Sequence, residues 1–219
     1  TRSIRPDAWV FGEVVRPPDQ QLSYAGLFDG TLDFLLCQAM RNTFATGEMG
    51  LAAFDAFLNR HEAYFPAQSA FSRPSFLDNH DMNRFLWQAG GDQRKLRLAA
   101  LVQFTLAGAP IVYNGTEVGV TQVRGIHDPD SEGMEECRQP MLWGEDQDSG
   151  LSSWFWYLSH LRRDHPVLWR GGRETLHLDS AAGTYAYVRE DGDEALMVGL
   201  NLSDEPREFK VAYAPRGAV

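Results

Sequence analysis

The sequence predicts an α/β chain in which βα units build a parallel sheet and a small antiparallel β domain follows. Short apolar strand-like runs alternate with stretches of helical spacing up to about residue 168. After Gly171-Gly172 the pattern changes to short strands joined by turns such as Asp191-Gly192. Apolar residues make up 43 % of the chain and recur along all of it, which excludes a disordered polypeptide. The division is placed after residue 169: a first unit over 1–169 and a β domain over 170–219. The latter has about four strands instead of a full sandwich, so it is expected to be clipped.

Taken in order, residues 9–15 read as a buried strand with one carboxylate, Glu13, set into it. Pro17-Pro18-Asp19 turns the chain, and residues 28–34 form a second short strand leading into a helix over 35–44. Gly47 and Gly50 break that helix, and 51–64 carry apolar residues at helical spacing again. Residues 74–77 are strand-like, and 78–81 are abruptly polar. A helix over 93–106 keeps Arg94, Lys95 and Arg97 outside and packs Leu96, Leu98, Leu101, Val102 and Leu106. Gly108-Ala109-Pro110 stops it, residues 111–113 are the next strand, and a polar loop runs over 115–148. Residues 151–165 are helical up to Pro166; their run Trp154, Phe155, Trp156, Tyr157 is read as core rather than as a sugar-stacking platform. Strands are predicted at 174–178, 184–190, 194–201 and 207–211.

The formal net charge of −10 argues against a nucleic-acid partner, since phosphates require a basic face. Neutral sugars make no such demand. No run of eighteen apolar residues is present, so no membrane span is predicted, and Thr1-Arg-Ser-Ile-Arg-Pro6 is no signal peptide. Cys37 and Cys137 lack metal-ligand spacing and read as free thiols, which favours a reducing compartment and a cytoplasmic location. His61, His127, His160, His165 and His177 show no metal pairing, and Asp128-Pro-Asp130-Ser-Glu132 lacks the Ca²⁺-loop pattern. No cofactor is therefore expected; a structural Ca²⁺ is allowed but not indicated.

Two places carry chemistry. Glu13 stands near the end of one apolar strand, and Asn79-His80-Asp81 at the end of another. In βα barrels the reacting groups lie at the carboxyl ends of strands. Two carboxylates delivered there by separate strands are what glycosidic cleavage needs, one of them protonated, and an apolar surround suits that role. The alternatives are a surface Glu and an Asn-His-Asp that merely caps the next helix.

Phe76-Leu-Asp-Asn-His-Asp81, followed by Met82-Asn-Arg84-Phe85, resembles the fourth signature region of the α-amylase family of glycoside hydrolases. Phe11-Gly-Glu13-Val14 is similar to the third region, and Phe28-Asp-Gly30 through Phe34 to the sixth-strand segment. Gly108-Ala-Pro-Ile-Val-Tyr-Asn-Gly-Thr-Glu-Val-Gly119 resembles the eighth strand and its loop. Cys137-Arg138-Gln-Pro-Met141-Leu-Trp143 and the helix ending Leu161-Arg-Arg-Asp-His-Pro-Val-Leu168 match the stretch that closes the barrel. The likeness leans toward the neopullulanase, maltogenic amylase and oligosaccharide-glucosidase end of the family. It implies the carboxy-terminal half of a (β/α)8 TIM barrel, strands five to eight, and a retaining enzyme for α-glucosidic bonds of malto-oligosaccharides or related glucans. It further implies that Glu13 is the general acid/base, Asp81 the carboxylate that stabilises the transition state, and His80 a donor to a sugar hydroxyl. Arg84 would fix the loop or neighbouring carboxylates.

Departures are instructive. The family nucleophile is an Asp within Gly-x-Arg-x-Asp, and no such motif occurs here; nor does the first region, an Asp with Asn-His at its end. Without a nucleophile the retaining mechanism cannot run, so the chain alone is expected to be inactive. Four strands cannot close an eight-stranded barrel, so either a missing amino-terminal half or self-association through open sheet edges is expected. Asn114 stands where relatives often have Tyr, and Val15 where they often have an aromatic, which blurs linkage preference. A transglycosylase, or an inactive binding or assembly subunit, remains as an alternative.

Overall fold

Four short extended segments run parallel, side by side and in chain order. In the computed structural model, which describes residues 3–66, 69–192 and 194–214, β1 (Phe11–Gly12) pairs with β2 (Gly30–Thr31), Phe11 opposite Gly30 and Gly12 opposite Thr31. Gly30 bridges onward to Ser72, and Ser75 to Pro110. The ladder is sparse: Leu32 N–H donates to Gly12 O at 2.9 Å, Asp33 N–H to Pro74 O at 2.9 Å and Ile111 N–H to Ser75 O at 2.7 Å. The expected strands over 9–15 and 28–34 shrink to two residues each. Among the described residues β1 has a partner on one side only, and Asp33 leaves its strand to cap a helix. The segments also approach closely. A β-carbon on Gly30 would collide with the Ser72 carbonyl, and one on Gly108 with the Arg73 carbonyl.

Helices fill the crossovers. α1 (Pro18–Leu22) has proline in its first turn, where a missing N–H costs nothing. α2 (Phe34–Met40) starts where the Asp33 carboxylate accepts from Leu36 N–H at 3.0 Å. It widens into a π-helical turn (Arg41–Thr46) and stops at Gly47, φ 75°. α3 (Leu51–Tyr64), α4 (Phe85–Gln88) and α5 (Gln93–Thr105) follow. α6 (Ser149–Asp164) is capped by Asp148, and α7 (Val167–Arg170) ends the helical part. α1, α4 and α7 escaped the sequence reading because four or five residues are too few to show a helical period.

The tail forms an antiparallel sheet of β3 (Gly172–Asp179), β4 (Thr184–Glu190) and β5 (Ala195–Asn201), with β4 in the middle. The fourth strand expected at 207–211 does not form. Asn201 and Ser203 side chains both bond the Glu205 carbonyl and turn the chain. Phe209 then stacks on His177 with ring centroids 4.4 Å apart, packing on the sheet instead of pairing along its edge.

One contiguous apolar core joins helices and sheet: Phe54, Leu58, Leu96, Val102 and Leu158 pack with Tyr185, Tyr187 and Leu200. Polar contacts lock the same seam. Tyr187 Oη meets Thr105 Oγ1 at 2.5 Å, and Tyr185 Oη donates to Asp55 at 2.7 Å. Arg173, its side chain fully buried, binds Asp55 and Glu62, each at 3.1 Å. The aromatic run of α6 is only half core: Phe155 is buried and Trp154 packs partly against the core, whereas Trp156 and Tyr157 are 63 % and 49 % exposed. Consecutive helical residues point about 100° apart, so four in a row cannot share one face.

Behind β2, Asp33 is buried with its oxygens against Arg73 Nη2 (2.6 Å) and His61 Nε2 (2.8 Å). Burial alone would raise its pKa, but His61 and Arg73 outweigh that and hold it below the ordinary 3.8. A folded-state pKa below the unfolded one contributes stability that is complete above 3.8 and is lost as pH falls past it. Asp33→Asn should therefore destabilise by about 3–5 kcal/mol at pH 7, since it strands the buried Arg73 guanidinium. Urea midpoints should show the gap to the parent closing as pH drops below the ordinary aspartate range; a gap independent of pH would refute the ion-pair account.

Candidate active site

The third extended segment runs apolar through Phe76 and Leu77, both buried, and then delivers four polar residues at its carboxyl end. Asp78 turns inward. Its carboxylate accepts from Phe85 N–H at 2.8 Å and from the Thr116 hydroxyl at 2.8 Å, so it holds the start of α4. Burial pushes its pKa up, against the pull of those donors and of Arg84 and Arg41. Asn79 Oδ1 accepts from Asp81 N–H at 2.9 Å and tightens the turn. Capping thus falls to Asp78, and the side chains of His80 and Asp81 project outward, 56 % and 44 % exposed.

Arg84 anchors everything around that turn. It is 1 % exposed; its Nε donates to Cys137 O and its Nη1 to Asn114 O, both at 2.8 Å. Its backbone N–H donates to Gln122 Oε1 at 2.6 Å, and its guanidinium lies over the Tyr113 ring at 4.0 Å. Two parts of the long 115–148 loop, and the Tyr113-Asn114 step that leads into it, are thereby tied to the end of one strand, as the sequence reading expected of Arg84. Gln122 Nε2 and Ile126 N–H both donate to Asn83 Oδ1, at 2.8 and 2.9 Å.

Asp81 has two neighbours. His80 Nε2 lies 3.3 Å from Oδ2, and Arg138 Nη2 donates to Oδ1 at 3.0 Å. Arg138 Nε also donates to the His80 carbonyl at 3.0 Å. Glu13 stands just past the carboxyl end of β1, exposed rather than set in an apolar surround. Because the segments are parallel, Glu13 and the His80–Asp81 pair occupy the same rim, with β2 between their strands. Among the described residues no hydrogen bond or ion pair joins Glu13 to that pair, and none presents three or more His, Cys, Asp or Glu arranged to hold a metal ion.

The sequence reading missed Asp78, Tyr113, Gln122 and Arg138. Arg138 lay inside a stretch already singled out, but a separation of 57 residues from Asp81 carries no periodic signal. If Arg84 is the anchor, Arg84→Ala should cost about 3–5 kcal/mol, by stranding buried carbonyls and opening a cavity. Hydrogen exchange should accelerate at 114–122 and 133–138 before it does in the β3–β5 sheet; uniform acceleration would mean that Arg84 supports only global stability.

Residues 1–164 match the family described as Alpha amylase, catalytic domain. The chain is 35 % identical over 211 residues to Alpha-amylase 2 of Dictyoglomus thermophilum, covering 96 % of the chain and 36 % of that protein. It is 37 % identical over 205 residues to Neopullulanase 2 of Thermoactinomyces vulgaris, covering 93 % and 33 %. A cyclomaltodextrinase structure superposes with a TM-score of 0.79 at 32 % identity over 91 % of the chain and 33 % of its own. The cyclic α-maltosyl-(1→6)-maltose hydrolase of Arthrobacter globiformis, in complex with that sugar, superposes at 0.78 with 29 % identity, over 91 % and 43 %. The chain spans about a third of the length of these curated relatives. With four parallel segments in order, the landmark residues on their carboxyl rim and a trailing three-stranded sheet, this chain belongs to the α-amylase catalytic-domain family and has the fold of the second half of its (β/α)8 barrel.

Proposed function

We propose that the protein carrying this chain is a retaining glycoside hydrolase that cleaves α-glucosidic bonds in malto-oligosaccharides or related α-glucans. The observation that carries the reading is the common rim: Glu13 and His80–Asp81 end the two parallel strands that flank β2, at the same edge of the sheet. Relatives named amylase, neopullulanase and cyclomaltodextrinase agree with it.

In this reading Glu13 protonates the glycosidic oxygen as the bond breaks and then deprotonates the water that resolves the glycosyl-enzyme. Asp81 does not attack. It accepts hydrogen bonds from hydroxyls of the distorted sugar, which strengthen as charge develops at the ring. His80 donates to a hydroxyl of the same sugar. The nucleophile lies outside this chain, which has no Gly-x-Arg-x-Asp, and would come from the strands that complete the barrel. Strands supplied by a longer protein fit the length of the relatives, of which this chain covers about a third, better than self-association through the edges that β1 and residue 110 leave unpaired among the described residues.

Two-carboxylate chemistry calls for no cofactor, and structural Ca²⁺ is no part of this reading. The cytoplasmic assignment rests on Cys37 and Cys137, buried free thiols. No described helix is long and apolar enough to cross a membrane. A transglycosylase reading has support from a cyclomaltodextrin glucanotransferase of Geobacillus stearothermophilus, 28 % identical over 172 residues; the two differ in whether water or a sugar hydroxyl accepts the intermediate. Retention of Glu13, His80 and Asp81 together speaks against an inactive subunit.

Reducing ends released from maltotriose and pullulan test the reading, for this chain and for a version extended upstream through four more strands. Activity is expected only in the extended protein, and Glu13→Gln should lower it by about 10²–10⁴-fold. Silence from both folded proteins would remove the hydrolase assignment for these substrates.

A further inference from the structure

We infer that Arg138 is the positioning residue for Asp81: it clamps the carboxylate in the orientation that the transition state requires. The inference rests on the reading of Asp81 given under Proposed function and adds to it a residue from a different loop.

Three observations lead there. First, all three guanidinium nitrogens of Arg138 are engaged: Nε with His80 O at 3.0 Å, Nη2 with Asp81 Oδ1 at 3.0 Å and Nη1 with Glu135 Oε1 at 3.3 Å. Nε and Nη2 form one edge of the planar fork, so the backbone of residue 80 and the carboxylate of residue 81 are gripped by a single rigid group. That contact fixes the side chain of Asp81 against its own main chain, which a point charge cannot do.

Second, Arg138 is itself held. The short 3₁₀ turn before it, Gly133–Cys137, is tied to the same strand end by Arg84 Nε on Cys137 O at 2.8 Å and by Cys137 Sγ on His80 O at 3.2 Å. The clamp is mounted on a buried anchor rather than on a loose loop.

Third, the pair contributes little to stability. Arg138 and Asp81 are 38 % and 44 % exposed, and solvent screens an ion pair at such positions. Its geometry therefore matters more than its energy. With Arg138 on Oδ1 and His80 near Oδ2, a sugar hydroxyl meets a carboxylate already oriented, and no ordering is required as charge develops.

The test uses the whole active protein with maltotriose as substrate, and Glu13→Gln runs beside it. Arg138→Ala should lower kcat by about 100-fold with KM close to parental and the thermal midpoint unchanged. Added guanidinium ion should restore part of that kcat, and Arg138→Lys should stay near the Ala variant. Near-parental kcat for Arg138→Ala would overturn the clamp, as would full recovery by Lys, which means charge alone suffices. A loss that guanidinium fails to restore would overturn it too. If instead Glu13→Gln retains activity, the fault lies with the assignment of the site and not with Arg138.

Discussion

Wherever a helix or a parallel strand ends, carbonyl groups lose their N–H partners, and in this chain arginine side chains take the vacancy. Arg162 on α6 is the extreme case. Its Nη1 reaches Phe104 O, Leu106 O and Leu168 O, and its Nη2 reaches Ala107 O and Gly108 O, so one guanidinium closes α5 and steers the chain into the fourth extended segment. Burial, with Arg189 nearby, lowers its pKa to about 10, which still leaves it charged at neutral pH. Arg41 does the same for Leu77 O and Asn83 O, and Arg189 for Gly171 O. A ladder with so few backbone bonds depends on such ties, because a fork of five fixed donors satisfies several acceptors at once while carrying its own positive charge to their negative ends.

The same device divides the molecule into a rigid back and an open rim. On the back, Arg173, Asp55, Glu62 and Tyr185 join the three-stranded sheet to α3 through part-buried, paired charges. Removing one partner there would leave another uncompensated, so the seam behaves as a unit. On the rim, Arg84 makes its bonds beneath the surface and leaves His80, Asp81 and Glu13 exposed. Arg138, which grips Asp81, is itself 38 % exposed, but the turn that carries it is tied down by buried Arg84.

Much of this was legible beforehand, for identifiable reasons. Helices α3, α5 and α6 announce themselves by apolar spacing sustained over thirteen or more residues, and the tail sheet by its turns. The position of Asp81 follows from an apolar run that ends abruptly in Asn-His-Asp. What sequence could not convey is partnership across distance. The side chains that matter to Asp81 and to the loop (Arg138, Gln122, Tyr113) come from beyond the next helix, and nothing local marks them. The segment at 207–211 has strand-like composition, yet pairing also needs an edge aligned to receive it; the turn at 203–205 and the Phe209–His177 stack lead it elsewhere. Composition reports what a side chain prefers, not which neighbour reaches it first.

Gly30 and Gly108 have a consequence for how this fold can diverge. Each sits where neighbouring main chains touch without a side chain between them, at the Ser72 and Arg73 carbonyls. The segments flanking Gly30 are those that end in Glu13 and in His80–Asp81. Any substitution at Gly30, even by a methyl group, would wedge the two apart, and the gap between the Glu13 and Asp81 carboxylates would widen with them. Loops on the rim are free to vary, but the caliper setting between the two carboxylates is held by an absence of atoms, which mutation can only spoil.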